Sequence, residues 1–416
     1  MTNVNWQTLK NLNEEFGDSF YLIDLEKFQQ NYRQFLDAFR VVYPNSQIAY
    51  SYKTNYTPRL CQIVQTMGGY AEVVSGMEYE LALRVGVPAE RIIFNGPYKQ
   101  QTDFEKALLS GSIVNLDAAY EIKWVSELAN RFPNTILRIG LRCNFSITND
   151  LVSRFGFDVE TDDFQTIIQT LQTISNCKIV GLHCHFLAEE RSVDVYELIA
   201  RKMVNIAKTQ FADTKLEFID LGGGFFSPMN QALKKQFPHP IPNFSEYGEG
   251  IANVFKASFP ENNGPELILE PGISITADTM KFVTKVIDIK SVKTQQFALV
   301  AGSRYDIKPT LSQRNLPMSV VSEFTGTSKN DLLDIVGSTC MEGDFLYTGY
   351  QGEIRANDYV VFDNVGSYTN VLRPPFINPA AAILFLTCSG DIEVIRCSET
   401  IDDIFSSYTF NATQFR

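Results

Sequence analysis

Lys53 directly follows the apolar run Ile48-Ala49-Tyr50-Ser51-Tyr52, a pattern that predicts a half-buried strand. A lysine is almost never fully buried without a partner. Its side chain therefore either lies on the solvated face of that strand or serves as an amine that desolvation drives toward its uncharged, nucleophilic form. Asp220-Leu221-Gly222-Gly223-Gly224 closes another apolar strand. Three glycines there either make a tight turn or let backbone N–H groups approach an anion. A dinucleotide fingerprint is not completed, because Phe225-Phe226-Ser227-Pro228 follows. His183 and His185, two of only three histidines, are two residues apart on a predicted strand and share a face. A metal would need further ligands, and His239 in a Pro-rich loop is a poor one, so no metal is expected. Glu270-Pro271-Gly272 sets a carboxylate at a strand end, where it either caps the turn or faces a ligand. Cys340 lies among Ser338, Thr339, Glu342 and Asp344 rather than in the apolar surroundings of a structural thiol. A thiol with a pKa near working pH is a suitable proton donor.

These groups need a scaffold that brings them together. Predicted strands cover 48–52, 70–74, 92–95, 112–115, 135–139, 179–183, 218–221 and 267–270, with amphipathic helices between them. The clearest helix is 75–84, with Ser75 as N-cap and Glu78 in the first turn. Eight βα units predict an α/β fold, a (β/α)8 TIM-like barrel over residues 24–277, with the motif residues at the C-terminal ends of its strands. From 278 onward the texture is β-rich, with predicted strands at 283–292, 296–301, 331–337, 358–363 and 382–389 separated by Gly, Asn and Asp. This predicts a second, mainly antiparallel β domain formed by 278–416 and joined by 1–23. No repeat, linker or low-complexity stretch interrupts the chain.

Composition narrows the class. A length of 416 residues exceeds one typical core, and 44% hydrophobic with 20% charged residues describes a soluble globular chain. The net charge of −12 argues against nucleic-acid or anionic-membrane surfaces. No apolar run approaches the roughly 18 residues of a membrane span. The start of the chain has neither the basic nor the apolar region of a secretory signal. Seven scattered cysteines without a C-x-x-C pair fit a reducing cytoplasm better than a disulfide framework.

In their order along the chain, Ala-Tyr-Ser-Tyr-Lys-Thr-Asn at 49–55, Gly-Leu-His-Cys-His at 181–185, Asp-Leu-Gly-Gly-Gly at 220–224, Glu-Pro-Gly at 270–272 and Cys-Met-Glu-Gly-Asp at 340–344 form a set. This set resembles the alanine-racemase-like, barrel-type pyridoxal-phosphate (PLP) decarboxylases, which include the diaminopimelate and ornithine decarboxylases. The resemblance implies that Lys53 forms a Schiff base with PLP and that Glu72 lies beside it. It also implies that His185 stacks on the pyridine ring and that Glu270 keeps the ring nitrogen protonated. Gly222, Gly223 and Gly224, the backbone at Gly272, and Tyr368 of Gly366-Ser367-Tyr368 would hold the phosphate, and Arg138 is a further implied cofactor contact. Cys340 would protonate the carbanion left by CO2 and would reach across a homodimer interface. His183 is left as a packed core histidine.

Departures from the family pattern bear on substrate. The usual phosphate-binding serine is Ala188, and the Arg common after Glu-Pro-Gly is Ile273. The Arg-Pro and Tyr that hold the distal carboxylate in diaminopimelate decarboxylases correspond to Lys308-Pro309 and Ser312, and the acid that commonly follows the catalytic Cys is Met341, with Glu342 one place later. Losing a bidentate Arg is not conservative for carboxylate recognition. These positions point to a modified or conjugated diamino acid, as in decarboxylases of siderophore, antibiotic or polyamine pathways. The alternatives are a diaminopimelate decarboxylase of lysine biosynthesis, an amino-acid racemase, which would need a catalytic Tyr where Cys340 stands, and a non-catalytic PLP-binding homologue.

Overall fold

Eight short strands whose residues are almost all buried set the first half of the architecture. They are β1 (Ser46–Ser51), β2 (Tyr70–Val73), β3 (Ile92–Phe94), β4 (Ile113–Leu116), β5 (Leu137–Asn144), β6 (Cys177–His183), β7 (Phe218–Asp220) and β8 (Glu266–Leu269). Parallel strands covered on both faces read as continuous apolar runs, which is why period-two alternation is absent from them. Each pairs in parallel with the next, and β8 pairs back onto β1, so the sheet closes into the expected eight-stranded barrel. In the computed structural model, residues 4–147, 153–186, 190–260, 263–324, 332–387 and 389–410 are described.

Ala49, Ile93, Ile113, Val180, Phe218 and Ile268 pack together in the barrel sheet. A Cβ on Gly181 would lie 2.4 Å from the Phe218 ring, so glycine there is a packing requirement. The helix predicted at 75–84 spans Gly76–Arg84. Ser75 accepts from the Glu78 N–H as predicted, and the Glu78 carboxylate accepts from Val74 N–H.

The chain divides into two compact units: Phe28–Pro228 with Phe237–Thr276, and Met1–Lys27 with Met229–Gln236 and Ala277–Arg416. The second unit is a mainly antiparallel nine-stranded sheet. The N-terminal strand Ser19–Ile23 lies inside that sheet, antiparallel to Met280–Val292 and parallel to Ile383–Leu386. Phe20, Leu22, Val283, Tyr359, Val361 and Leu384 form its core, with Leu9 and Leu12 of the helix Trp6–Phe16 packed among them. Three further strands, Met318–Val321, Phe345–Tyr350 and Ile392–Arg396, go beyond those expected from sequence. Each is largely half-buried or exposed, so each lacks the apolar run that marks a core strand. Asp331 and Cys388, within two of the expected strands, lie outside the described residues.

Candidate active site

The C-terminal ends of the barrel strands surround a cavity of about 450 Å³. Lys53 enters it from a single 3-10 turn, Tyr52–Thr54, directly after β1, rather than from within the strand as the sequence suggests. Its Nζ lies 2.5 Å from Oε2 of Glu72, a buried carboxylate on β2 that also accepts from Ser51 Oγ at 2.7 Å. The lysine side chain keeps a third of its surface exposed. Desolvation is therefore partial, and Glu72 holds the lysine head group in place.

Glu270 follows β8 at the other side of the cavity and is buried. Burial alone would raise its carboxyl. The electrostatic influence of His183 and the charge of Lys53 outweigh burial and hold it well below the usual carboxylate range. His183 Nε2 stands 3.4 Å from Glu270 Oε1, close enough for attraction but long for a hydrogen bond. Asp220, at the end of β7, is driven the opposite way, first by burial and then by the charge of Glu270, which raise its carboxyl well above the usual carboxylate range.

His185 comes just past β6. Burial, reinforced by Lys53, pushes its imidazole down to about 3. The neutral ring accepts a hydrogen bond from Gly223 N–H at Nδ1 (3.0 Å), which leaves the proton on Nε2 and fixes the ring's orientation. A neutral histidine buried this way stabilises the fold only while the unfolded histidine is also neutral. Between about pH 3 and 6.5 the unfolded chain binds the extra proton, so stability falls as pH is lowered. We expect the unfolding free energy of the cofactor-free protein to drop across that window by up to about 1.4 kcal/mol per pH unit from this group. Denaturation of wild type and His185→Gln at pH 4.5, 5.5 and 6.5 checks this; equal slopes for the two proteins would reject it.

The glycine loop differs in part from expectation. Gly222 N–H donates to Asp220 Oδ1 at 2.8 Å and Gly223 N–H donates to His185, so neither aims at an anion. Their absence of side chains serves close approach instead. A Cβ on Gly222 (φ +70°) would meet Cys184 O at 2.5 Å, and one on Gly223 would meet Glu270 O at 2.2 Å. Gly224 (φ +96°) takes the left-handed backbone that favours glycine. Gly272 is equally constrained, with Thr54 Oγ1 only 2.1 Å from where its Cβ would stand; the short helix Ile273–Thr276 follows, so Ile273 is helical.

PLP fits this constellation. Among the described residues, neither ring nitrogen of the buried His183 nor Asp220 Oδ2 has a hydrogen-bond partner, as expected of a wall built to face a polar heterocycle. Val74, Pro97 and Phe186 give the cavity apolar surface. His183, Asp220 and Glu270 offer atoms within 4.8 Å of one another, but burial disfavours the ionised Asp220 that a metal would need.

Arg138 is corrected by the structure. It lies at the N-terminal end of β5 and pairs with Glu217 at 2.5 Å, away from the strand ends that line the cavity. Arg142, four residues later on the same strand, lines the cavity instead. Arg142 is anchored to Asp117 at 2.8 Å and lies over Phe155 at 4.5 Å. Below it Lys99 and Glu121 form a fully buried pair at 2.7 Å, and Glu121 also accepts from the N–H groups of Asp117 and Ala118. Removing one member leaves a buried charge unpaired, so Glu121→Ala is expected to cost about 3–5 kcal/mol. Urea denaturation followed by fluorescence checks it, and a loss below 1 kcal/mol would contradict the pairing.

Asn95, like Arg142, is a cavity residue that the sequence does not single out. It directly follows β3 with a short amide, a type common in turns, so only its tertiary neighbours reveal it. Cys340, Met341, Glu342, Lys308, Ser312 and Tyr368 all belong to the β unit. Cys340 and Met341 are exposed, beside a turn in which Asp344 accepts from Thr339. Lys308 is buried, and Tyr368 adopts a left-handed backbone (φ +55°). Ala188 lies outside the described residues.

A closed parallel barrel with a lysine, histidines and buried carboxylates at the cavity formed by its strand ends, with a separate mainly antiparallel β unit, is the architecture of a barrel-type PLP enzyme. Residues 25–277, more than half of the chain, match the family described as pyridoxal-dependent decarboxylase, pyridoxal binding domain, and the chain belongs to that family. It is a PLP-dependent carboxy-lyase with PLP as its cofactor. Among its relatives are proteins named diaminopimelate decarboxylase from Aquifex aeolicus (26% identical over 410 residues, 95% of this chain and 93% of that one) and from Methanothermobacter thermautotrophicus (26% over 411 residues, 94% and 92%). The fold is similar to that of the crystal structure of diaminopimelate decarboxylase from M. jannaschii, with a TM-score of 0.86 at 21% identity, covering 97% of this chain and 94% of that one.

Proposed function

We propose that this enzyme removes the α-carboxylate from an amino acid whose far end carries a conjugated, anionic group, with Lys53 as the attachment residue and Glu270 as the partner of the ring nitrogen. The observation that carries the site assignment is the placing of Lys53–Glu72 and Glu270 in one cavity. When bound there, PLP supplies the electron sink that accepts the pair released as the Cα–carboxylate bond breaks. Glu72 holds and exchanges the lysine proton, neutral His185 presents a ring face, and the charge of Glu270 favours a proton on the ring nitrogen facing it. Cys340 donates the proton that returns to Cα. The phosphate is held by Gly224, Gly272 and Tyr368.

Substrate selectivity is assigned to Ile273, Lys308, Ser312, Met341 and Glu342. Burial, with Arg304 adding, pushes Lys308 down to about 8, and its Nζ makes only a 3.3 Å contact to Arg314 O. A cation so weakly engaged supports an anionic tail as its partner, but a lysine lacks the planar fork that orients a carboxylate bidentately. meso-Diaminopimelate is therefore expected to be a poor substrate, and a diamino acid whose far amine is joined to a carboxylic acid a better one. Steady-state kinetics on both decide it. A kcat/KM for diaminopimelate of about 10⁴ M⁻¹s⁻¹ or more would instead favour the second reading, a diaminopimelate decarboxylase, which the names of the full-length relatives support. A siderophore, antibiotic or polyamine pathway is the setting that suits a conjugated substrate.

The working form is proposed to be a homodimer in the cytoplasm, with Cys340 of one protomer completing its partner's site. The exposure of Cys340 supports the first point, and cysteines without a pairing pattern support the second. No described helix is long and apolar enough to cross a membrane. Mixing inactive Lys53→Ala with inactive Cys340→Ala should restore roughly a quarter of the activity if protomers redistribute statistically. No recovery despite demonstrated exchange would place Cys340 in its own protomer's site.

A further inference from the structure

A single side-chain amide joins the two ends of the cavity. Asn95 Nδ2 donates to Glu72 Oε1 at 3.1 Å and to Glu270 Oε1 at 2.5 Å. Its orientation is not arbitrary: ionised carboxylates only accept, so the NH2 must face them. Asn95 Oδ1 then faces the other way, where Asn115 Nδ2 donates to it at 2.7 Å. Asn115 in turn has its place because β5 carries Gly140 beneath it; a Cβ there would lie 1.8 Å from Asn115 Oδ1. Asn95 and Asn115 are both buried, as are the two carboxylates.

We propose that Asn95 is a positioning residue that couples the lysine-binding carboxylate, Glu72, to the ring-nitrogen carboxylate, Glu270. The proposal rests on the roles proposed above for Lys53 and Glu270. Two buried carboxylates near each other normally drive one of them to bind a proton. An amide that donates one N–H to each offsets that repulsion. It also fixes which oxygen each carboxylate has committed: Glu72 keeps Oε2 for Lys53, while Glu270 turns Oε1 toward Asn95 and His183. A change of charge at either end polarises the same planar group and is felt at the other.

The test measures PLP dissociation constants by equilibrium absorbance titration, which reads binding and not turnover. Glu72→Gln, Glu270→Gln and the double variant are compared in the native background and in an Asn95→Leu background. Leucine fills nearly the same volume without donors, so a residue that only packs would be replaced silently. In the native background the double variant should depart from the product of the single effects by about fivefold or more, and with Asn95→Leu by no more than about twofold. Equal departures in both backgrounds, or none in the native one, would overturn the bridge. Should Asn95→Leu fail to fold, Asn115→Ala removes the amide that orients Asn95 and must reduce the coupling in the same way; unchanged coupling would overturn the proposal. Borohydride labelling of the wild type separates the two levels of inference. Label absent from Lys53 rejects the site assignment, whereas label on Lys53 with additive carboxylate effects rejects only the role of Asn95.

Discussion

Glu270→Gln is expected to lower kcat by about 10²–10³ while the protein stays folded, the scale seen when one preorganised electrostatic group is removed from a reaction centre. Glutamine keeps the shape, and its carbonyl can still accept from Asn95. What disappears is the negative charge that His183 and Lys53 hold in place against the cost of burial. Without it the ring nitrogen loses its reason to stay protonated, so electron withdrawal from Cα weakens at the step that releases CO2. Because the native carboxyl is held below the usual carboxylate range, it remains ionised throughout the working pH range. The acid limb of the activity profile should therefore arise from another group. Single-turnover CO2 release with the variant, alongside its melting temperature, measures the effect. A loss under tenfold in a folded, PLP-loaded variant would remove Glu270 from the proposed role.

Lys53→Ala should eliminate covalent retention of PLP and reduce turnover by about 10²–10⁴, the range for loss of a positioned acid–base or nucleophilic side chain. Wild-type protein should be yellow, and borohydride should fix the colour to the peptide containing Lys53. Glu72, one of the best-buried acids of the barrel, loses its ion-pair partner in the variant. Exogenous amines small enough to enter the cavity should therefore restore part of the activity, since they can meet both Glu72 and the aldehyde. A label on another lysine, or a variant with unchanged turnover, would reject the assignment.

Much of this site was legible before any coordinates. Eight apolar runs mark the barrel because parallel strands covered on both faces leave a continuous hydrophobic signature, and their order along the chain sets the order of the motif residues around the rim. The Ser75 N-cap was equally legible, since capping involves only residues three apart. Edge and half-exposed strands such as Ile392–Arg396 left no such trace, as their apolar residues alternate with charge and remain in water. Arg138 and Arg142 share a strand and a face, and only the direction of the barrel separates the arginine at the far end from the one on the cavity wall.

What the chain's order of residues determined by itself was the inventory: a lysine, an acid beside it, paired histidines, a glycine loop and a terminal carboxylate, each at the end of a strand. What only the tertiary structure decided was how that inventory is wired. The Gly222 and Gly223 N–H groups turn inward to Asp220 and His185 rather than toward an anion, and the N-terminal strand joins a sheet made mostly by residues more than 250 positions away. Asn95 contacts Glu72 and Glu270, the latter 175 residues distant in the chain. Periodicity and capping are local and leave their mark on neighbouring residues. A hydrogen bond between strand ends depends on where barrel closure brings two backbones, and neither segment carries that information alone.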